Sequence, residues 1–443
     1  MDNDYDLVAY RTFVRRQTHP DRLAAIARLF GMSPAPVTAC RVLEIGCGDA
    51  ANLIPMAYHL PQSRFTGFDL AAAPIAAGRQ VANELHLGNL DLLQADLCKF
   101  AEGEFDYIVA HGLYSWVPPE VRDRLLALCR KRLAPQGVAY ISYNVYPGRY
   151  PRQMIREILL YHVRAIEDPA RRIVEARSLL GRLPHPEAVA MRAMSDDSLF
   201  HDDLAPVNEP VWFHDFAEHV GRYKLQYLGE ADSPGNFSPK MPRGDITEWE
   251  QYADFLSLRR FRSTLLCRRE VKLERPIRTE RLDGFLFSEN TPVERAPSED
   301  PAVEAVMQAL YDMRPLPVEF KELIPYAGGA ARLREILFAL LGAGAVNLNV
   351  YDFPCADEVS AHPQASGLAR YQAARGNMVA SACHVQVELD AIATQLVGLL
   401  DGTRTHDEIA RDLADLSGAP LEEVRRGLSA SLNWLARLAL LEA

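Results

Sequence analysis

The sequence predicts an α/β fold: a doubly wound, seven-stranded, mostly parallel sheet of Rossmann-like type, with a helical insertion and a C-terminal winged-helix-like domain. Three observations support this prediction. Short apolar runs alternate with helical patterns of about 10 to 15 residues up to residue 143. The first of these runs, RVLEI, leads directly into the glycine turn GCG. After residue 302 the pattern changes to three helices and a strand.

The N-terminal part is predicted to supply five strands and the helices around them. Pro20 suits the first turn of the first helix, Thr18 can cap it, and Gly31 ends it. Strands that alternate with helices of this length pair in parallel, and ligands of such sheets bind beyond the carboxyl ends of the strands. The predicted strands are 41–45, 64–69, 90–94, 105–110 and 138–143, and the predicted helices are 19–30, 50–60, 74–87 and 119–133.

The remaining chain is predicted to form three regions and a linker. Residues 150–199 show a helical pattern without strand alternation, which indicates an inserted cap near the carboxyl edge of the sheet. Residues 200–286 contain a helix and two strands that would complete seven strands. Residues 287–301 are polar with three prolines and are predicted to be a linker. The winged-helix-like domain follows at 302–443.

Composition and charge exclude several classes of partner. The formal net charge is −11, which argues against a nucleic acid or an anionic membrane held by bulk electrostatics. The seven cysteines include no C-x-x-C pair, so reduced thiols are expected rather than a disulfide framework. The N-terminal sequence lacks the layout of a signal peptide. The longest apolar run has 11 residues, whereas a membrane span needs about 20. We therefore expect a cytoplasmic protein without stable membrane insertion.

The glycine turn at residues 46–48 fits two kinds of ligand. With Asp69 at the end of the second strand, it satisfies the dinucleotide fingerprint, and S-adenosylmethionine carries the same adenosine part. Asp49, however, stands where a pyrophosphate would meet the helix N-terminus, and a carboxylate there repels phosphate. S-adenosylmethionine instead brings a sulfonium and an ammonium, so Glu44 and Asp49 favour it over NAD.

These residues and several longer segments resemble class I S-adenosylmethionine-dependent methyltransferases. Glu44 with the glycine turn, Asp69 and Asp96 carry the general likeness. The segments FDYIVAHGLYSWVP (105–118) and VAYISYNVYPG (138–148) resemble a bacterial subgroup with a methyltransferase regulatory domain, which includes lysine methyltransferases of outer-membrane proteins. The resemblance implies a cofactor-binding core, a helical cap, a regulatory segment that completes the sheet and a winged-helix-like domain, at 1–149, 150–199, 200–286 and 302–443.

The resemblance also implies where S-adenosylmethionine binds. Asp69 is expected to hold the ribose, and Asp96 with Leu97 the adenine. The predicted cofactor-binding residues are Glu44, Gly46, Cys47, Gly48, Asp49, Asn52, Asp69, Leu70, Asp96, Leu97, His111 and Gly112.

The predicted catalytic residues follow from the chemistry of methyl transfer. This reaction is an in-line displacement in which positive charge passes from sulfur to the acceptor, and aromatic faces can stabilise that charge. The candidates are His111, Tyr114, Trp116 and Tyr143. The aromatic residues could equally pack the cap onto the sheet. His111 could act as a base or bind the cofactor carboxylate.

The predicted activity is methyl transfer to lysine side chains of a protein, with outer-membrane or envelope proteins as candidate substrates. Two alternatives stay open: a methyltransferase for small molecules, and a non-catalytic regulator that binds the cofactor or DNA. A nucleic-acid partner is not expected. A metal site is not expected either, because His214 and His219 lie five apart on one helix and do not share a face. The oligomeric state is left open.

Overall fold

The computed structural model describes residues 12–232, 237, 244–290 and 298–442. The start of the predicted core, residues 1–11, and the middle of the predicted linker, residues 291–297, lie outside the described residues.

A seven-stranded sheet forms the centre of the first part of the chain. Its strands are β1 Arg41–Ile45, β2 Arg64–Asp69, β3 Leu90–Gln94, β4 Phe105–Ala110, β5 Leu133–Asn144, β6 Leu225–Glu230 and β7 Phe261–Arg268. The strand order is β3-β2-β1-β4-β5-β7-β6. Strands β1 to β5 pair in parallel, whereas β7 is antiparallel to β5 and to β6. The predicted fold class is therefore confirmed, and the winding of the sheet reverses between β1 and β4, where such sheets bind ligands.

Helices cover both faces of this sheet. The helices in this part of the chain are α1 Pro20–Leu29, α2 Leu53–His59, α3 Ala72–Glu84, α4 Pro119–Arg132, α5 Tyr150–Val163, α6 Pro169–Arg182, α7 Pro186–Arg192, α8 Phe213–Arg222 and α9 Ile246–Ser257. Three of them, α5 to α7, form the insertion described below. Along β5, Val138 and Tyr140 join one hydrophobic core with α1 and α2. The alternate residues Ile141 and Tyr143 join a second core with α4 and α8, because successive side chains of a strand point to opposite faces.

The predicted insertion is helical. Helices α5, α6 and α7 pack around a small core of their own, which includes Leu159, Leu180 and Phe200. A short turn, Asp196–Ser198, then continues as the π-helical segment Leu199–Asp203. π-Helical turns are rare and occur frequently at functional sites.

The chain after β7 builds two further cores. The first contains strands β8 Leu286–Glu289, β9 Val318–Glu319 and β10 Val346–Asn349 with helices α10 Pro301–Asp312, α11 Phe320–Ala327 and α12 Ala330–Gly342. The predicted linker is wrong at its start, because residues 287–289 belong to β8. Phe287 is fully buried there, and β8 pairs with both β9 and β10. Local composition could not reveal this, since the partner strands lie far along the chain.

The second of these cores lies in the C-terminal region. Its elements are α13 Gly367–Ala373, β11 Met378–Ala380, β12 Gln386–Glu388, α14 Ala391–Leu399, α15 His406–Ser417 and α16 Leu421–Arg437. Leu368 and Ala380 also join the core beneath α2, so this region packs directly against the main sheet domain. Within the described part of the chain, no helix combines the length and the apolar character that crossing a bilayer requires.

Candidate functional site

The glycine turn after β1 is held to the end of β2 by backbone hydrogen bonds. The N–H groups of Gly46 and Cys47 both donate to the carbonyl oxygen of Phe68, at 2.8 and 3.1 Å. The N–H of Gly48 donates to Asp69 Oδ2 at 3.0 Å. Asp69 also accepts from the N–H of Ala71 and so organises the end of β2. The structure thus brings the predicted glycines and Asp69 together.

Open space lies beside the glycine turn and beside the loop that follows β4. Gly46 and Gly112 have φ of +73° and +63°, in the left-handed region that glycine adopts without cost. A Cβ on Gly46 would meet only Leu113 Cδ1, at 3.9 Å, and a Cβ on Gly112 would meet nothing within 4 Å. The space beside Gly48 is filled instead, because a Cβ there would lie 2.7 Å from Thr12 Cγ2. The space therefore lies at the ends of β1 and β4.

Glu44 is the buried carboxylate of this site. It is 5% exposed, and its Oε1 accepts a hydrogen bond of 2.9 Å from Asn52 Nδ2. Among the described residues, none donates to its Oε2, although that atom is buried. Burial raises the pKa of Glu44 to about 8; the hydrogen bond from Asn52 opposes this and the charge of Asp49 adds to it. A buried carboxylate oxygen without a partner is costly, and a cationic ligand would satisfy it.

Residues 12–18 cross the glycine turn as a strap. The hydroxyl of Thr12 donates to Asp49 Oδ1, and the N–H of Arg15 donates to Asn52 Oδ1 at 2.8 Å. Thr18 Oγ1 accepts from Asn52 Nδ2 at 3.0 Å. The positive charge of Arg15 lowers the pKa of Glu44, so its guanidinium lies within electrostatic reach of the site. Sequence analysis did not single out Arg15; only its contacts do.

The loop after β4 is fixed by two side chains of β5. His111 Nδ1 and the hydroxyl of Tyr140 lie 2.9 Å apart, and the N–H of Gly112 donates to Ser142 Oγ at 2.8 Å. Burial lowers the pKa of His111 to about 3, and the charge of Arg15 adds to this. An imidazole with such a pKa is a weak base at neutral pH. The environment of His111 therefore favours hydrogen bonding over proton abstraction.

Tyr114 and Tyr143 lie on the other face of the sheet and are not brought to the glycine turn. Both are buried, and both rings pack against Phe216 of α8, at centroid distances of 5.0 and 4.0 Å. The Tyr114 hydroxyl lies 2.8 Å from His219 Nδ1. These surroundings favour a packing role for Tyr114 and Tyr143 over the predicted catalytic role. Trp116 ends a short 3₁₀ turn and remains partly exposed.

The other predicted cofactor residues lie at the ends of β2 and β3. Leu70 follows Asp69 and is 61% exposed, which is high for a large apolar side chain. Asp96 Oδ1 accepts from the N–H of Cys98 at 2.8 Å, and Leu97 is half-buried against the core. Cys47 differs from these, because its buried side chain joins the core beneath the turn. Burial raises the pKa of the Cys47 thiol well above its usual value, which makes it a poor nucleophile at neutral pH.

Asp202 is a candidate that sequence analysis missed. It lies in the π-helical segment, whose position is tied to β5: Asn208 donates to Asp202 O at 2.6 Å, and Asn144 donates to Asn208 Oδ1 at 2.8 Å. The adjacent Asp203 forms an ion pair with Arg152. Within residues 12–232, 244–290 and 298–442, no hydrogen bond or ion pair engages the Asp202 carboxylate. Burial raises its pKa to about 6. The sequence signal that could have identified Asp202 is the pair of adjacent aspartates in the segment LFHDDLAPVNEP (199–210).

Three family models match separate parts of the chain. A methyltransferase domain matches residues 43–139, a predicted methyltransferase regulatory domain matches 195–268, and the C-terminal winged helix domain of PKMT matches 362–419. The protein RP028 of Rickettsia prowazekii is 33% identical over 240 residues, which cover 51% of this chain and 96% of RP028. RP789 of the same organism is 34% identical over 308 residues, which cover 64% of this chain. The matched region spans only 56% of RP789.

Two solved structures share the fold over nearly the whole chain. PKMT2 from Rickettsia typhi superposes with a TM-score of 0.86 and 24% identity, over 98% of this chain and 100% of that chain. PKMT2 in complex with AdoHcy gives 0.85 and 25% identity, over 98% and 99%. The chain therefore belongs to the S-adenosylmethionine-dependent methyltransferases, in the branch with regulatory and winged-helix domains.

The residues at the glycine turn fit S-adenosylmethionine as the cofactor. The unsatisfied oxygen of Glu44, the further carboxylates of Asp49 and Asp69, and the open space before Gly46 and Gly112 suit a cation. They do not suit a pyrophosphate, which would be repelled by these carboxylates. The prediction of S-adenosylmethionine over NAD is confirmed.

Proposed function

We propose that this protein transfers methyl groups from S-adenosylmethionine to lysine side chains of a protein substrate. PKMT2 is a protein lysine methyltransferase, and its likeness extends beyond the cofactor-binding core to the insertion, the regulatory segment and the C-terminal region. This whole-chain likeness is the observation that carries the proposal. A likeness limited to the core would have left the acceptor undefined, since the core fold serves many acceptors.

Five of the predicted cofactor residues are each proposed for a specific part of the ligand. Glu44, with Asp49 behind it, would attract the positively charged methionine end. Asp69 would accept hydrogen bonds from the ribose hydroxyls through carboxylate lone pairs that its bond to Gly48 leaves free. Leu70, exposed beside Asp69, would contact the adenine. Asp96 would accept from the adenine amino group. When bound, S-adenosylmethionine supplies an electrophilic methyl group.

The acceptor lysine is proposed to approach from the side of β4 and β5. A lysine is protonated at neutral pH and must lose a proton before its nitrogen can attack. Asp202 is proposed to attract the ammonium and accept that proton, because its pKa of about 6 leaves it ionised at pH 7 and yet basic enough for the exchange. His111 and Tyr140 are proposed to shape the entrance, with Arg15 of the strap close by.

The proposal is tested by incubating the protein with methyl-labelled cofactor and a bacterial lysate, followed by mass spectrometry of the labelled proteins. Label on lysine nitrogen is expected. The Asp69→Asn variant should give much less label because its cofactor binding is weakened, whereas Glu104→Gln, an exposed position distant from the turn, should match the native protein. Label confined to small molecules would contradict the proposal and favour the small-molecule alternative.

The finer assignments are also proposals. We propose that the substrate is an envelope or outer-membrane protein that is methylated in the cytoplasm before export. The net charge of −11 suits a lysine-rich acceptor, because complementary charge favours the encounter. The domain limits at 149, 199, 286 and 302 are likewise kept as proposals. In the same lysate, fractionation into envelope precursors and soluble proteins tests the substrate class, and label found only on soluble proteins would contradict it.

A further inference from the structure

Asn52 joins three parts of the chain at the cofactor site. It precedes α2 and is 4% exposed, and its side chain forms no helix cap. Its Nδ2 donates to Glu44 Oε1 at 2.9 Å, and its Oδ1 accepts from the N–H of Arg15 in the strap at 2.8 Å. His384 Nε2, from the C-terminal region, lies 3.0 Å from the same Oδ1 although 332 residues separate the two along the chain. One amide thus contacts the core, the strap and the C-terminal region.

The donors around Asn52 determine the direction of these hydrogen bonds. A backbone N–H only donates, so Arg15 identifies the atom it contacts as the amide oxygen of Asn52. His384 must then donate through Nε2. Burial lowers the pKa of His384 well below its usual value, so the ring is neutral and its single proton is on Nε2. The resulting chain runs from His384 through Asn52 to the carboxylate of Glu44.

His384 is held firmly in the position that makes this contact. It lies between β11 and β12 with φ of +56°, a conformation that costs energy for a residue other than glycine. Its N–H donates to Ser381 O, and the N–H of Val385 follows with a bond to the hydroxyl of Ser381. The ring lies 5.2 Å from that of His19 and is 2% exposed. The hairpin therefore presents the imidazole at a defined place.

We propose that His384 is a positioning residue through which the C-terminal region controls cofactor binding. By fixing the amide of Asn52, it holds Glu44 Oε1 and leaves Oε2 directed to the ligand. The cofactor site is then complete only when the C-terminal region is docked on the main domain. This inference rests on the proposed role of Glu44 in binding the cofactor, and it assigns to the C-terminal region a role besides contact with the substrate.

Two variants separate the hydrogen bond from the packing of the ring. His384→Phe keeps an aromatic ring beside His19 but cannot donate to Asn52, whereas His384→Gln keeps an N–H donor. Tyr58→Phe is the matched control. It removes two different bonds between α2 and the C-terminal region and leaves Asn52 untouched: the Tyr58 hydroxyl accepts from the N–H of Gly367 at 2.8 Å and donates to Glu442 Oε1 at 3.1 Å.

The readout is the dissociation constant of S-adenosylhomocysteine, measured by calorimetry on the full chain. We expect about tenfold weaker binding for His384→Phe, as for one lost hydrogen bond in a buried network, and recovery to within threefold for His384→Gln. The KM for the acceptor protein should not change. In a Glu44→Gln background, His384→Phe should have no further effect, because the two residues act in one chain.

Several results would overturn the inference. Unchanged affinity in His384→Phe would do so, as would an equal loss in Tyr58→Phe, which would point to domain docking in general. Failure of the native protein to bind S-adenosylhomocysteine would instead defeat the proposed function. A measurement on the native protein needs no variant: the ¹⁵N signals of His384 should show a proton on Nε2 that does not titrate between pH 5 and 8, and they should shift on addition of S-adenosylhomocysteine. A titrating ring or an unmoved signal would equally refute the proposal.

Discussion

Cofactor affinity is expected to depend on pH through Glu44. Burial raises the pKa of this carboxyl to about 8, so in the free protein it is mostly protonated at pH 7. Asn52 and Arg15 oppose the shift, whereas Asp49 and Asp69 add to it. A cationic ligand favours the ionised form, and binding therefore releases a proton. The affinity is highest above the pKa of the free protein and is lost as the pH falls below it.

The magnitude follows from the pKa. With a value of about 8, roughly half of the Glu44 carboxyls are ionised at pH 8 and about one in a hundred at pH 6. If only the ionised form binds, the affinity for S-adenosylmethionine falls about 50-fold over this interval. The α-amino group of the ligand, with a pKa near 8, becomes protonated over the same interval and opposes this change by about twofold. A net decrease of about 25-fold is expected.

Calorimetry at pH 6, 7 and 8, in two buffers of different ionisation enthalpy, measures both the affinity and the protons released. About 0.8 proton should be released per ligand at pH 7, because Glu44 loses about 0.9 proton and the α-amino group of the ligand gains about 0.1. Glu44→Gln keeps the size of the side chain and an acceptor for Asn52, and it should abolish the release and the decrease in affinity at low pH. Glu104→Gln, at an exposed carboxyl, should behave as the native protein. Constant affinity in the native protein, with no proton released, would refute the reasoning.

Four other changes have expected outcomes. Asp69→Asn should weaken cofactor binding at least tenfold in calorimetry, because a carboxylate that holds the glycine turn is lost; binding within twofold of native would contradict its role. Tyr114→Phe should keep methyl transfer within twofold, since the ring lies in the core on the opposite face, and a large loss of rate would restore the catalytic role. Arg262→Met should lower the free energy of unfolding by about 3–5 kcal/mol in urea, because buried carboxylates lose their partner. Removing the exposed ion pair between Arg41 and Glu104 by Glu104→Gln should cost under about 1 kcal/mol. Asp202→Asn should leave cofactor affinity unchanged but reduce the rate of lysine methylation about 100-fold, and an unchanged rate would remove it from the acceptor site.

The main sheet could be predicted from sequence because its signals are local. The first four predicted strands coincide with β1 to β4, since short apolar runs bounded by helices specify buried parallel strands. The glycine turn could also be predicted, because the left-handed backbone at Gly46 and Gly48 is favourable only for glycine. The carboxylates of Glu44 and Asp69 were found by their spacing from this turn.

The tertiary structure alone decided which of these side chains share a site. Alternation along β5 shows that Tyr140 and Tyr143 point to opposite faces, but the helices that cover each face determine which one meets the ligand. For the same reason, β8 could not be recognised without its partners β9 and β10. The bond from His384 to Asn52 joins positions 332 residues apart and leaves no periodic pattern in the sequence. Local conformational preference therefore determined the elements and the glycine turn, and long-range packing determined the polar contacts that complete the site.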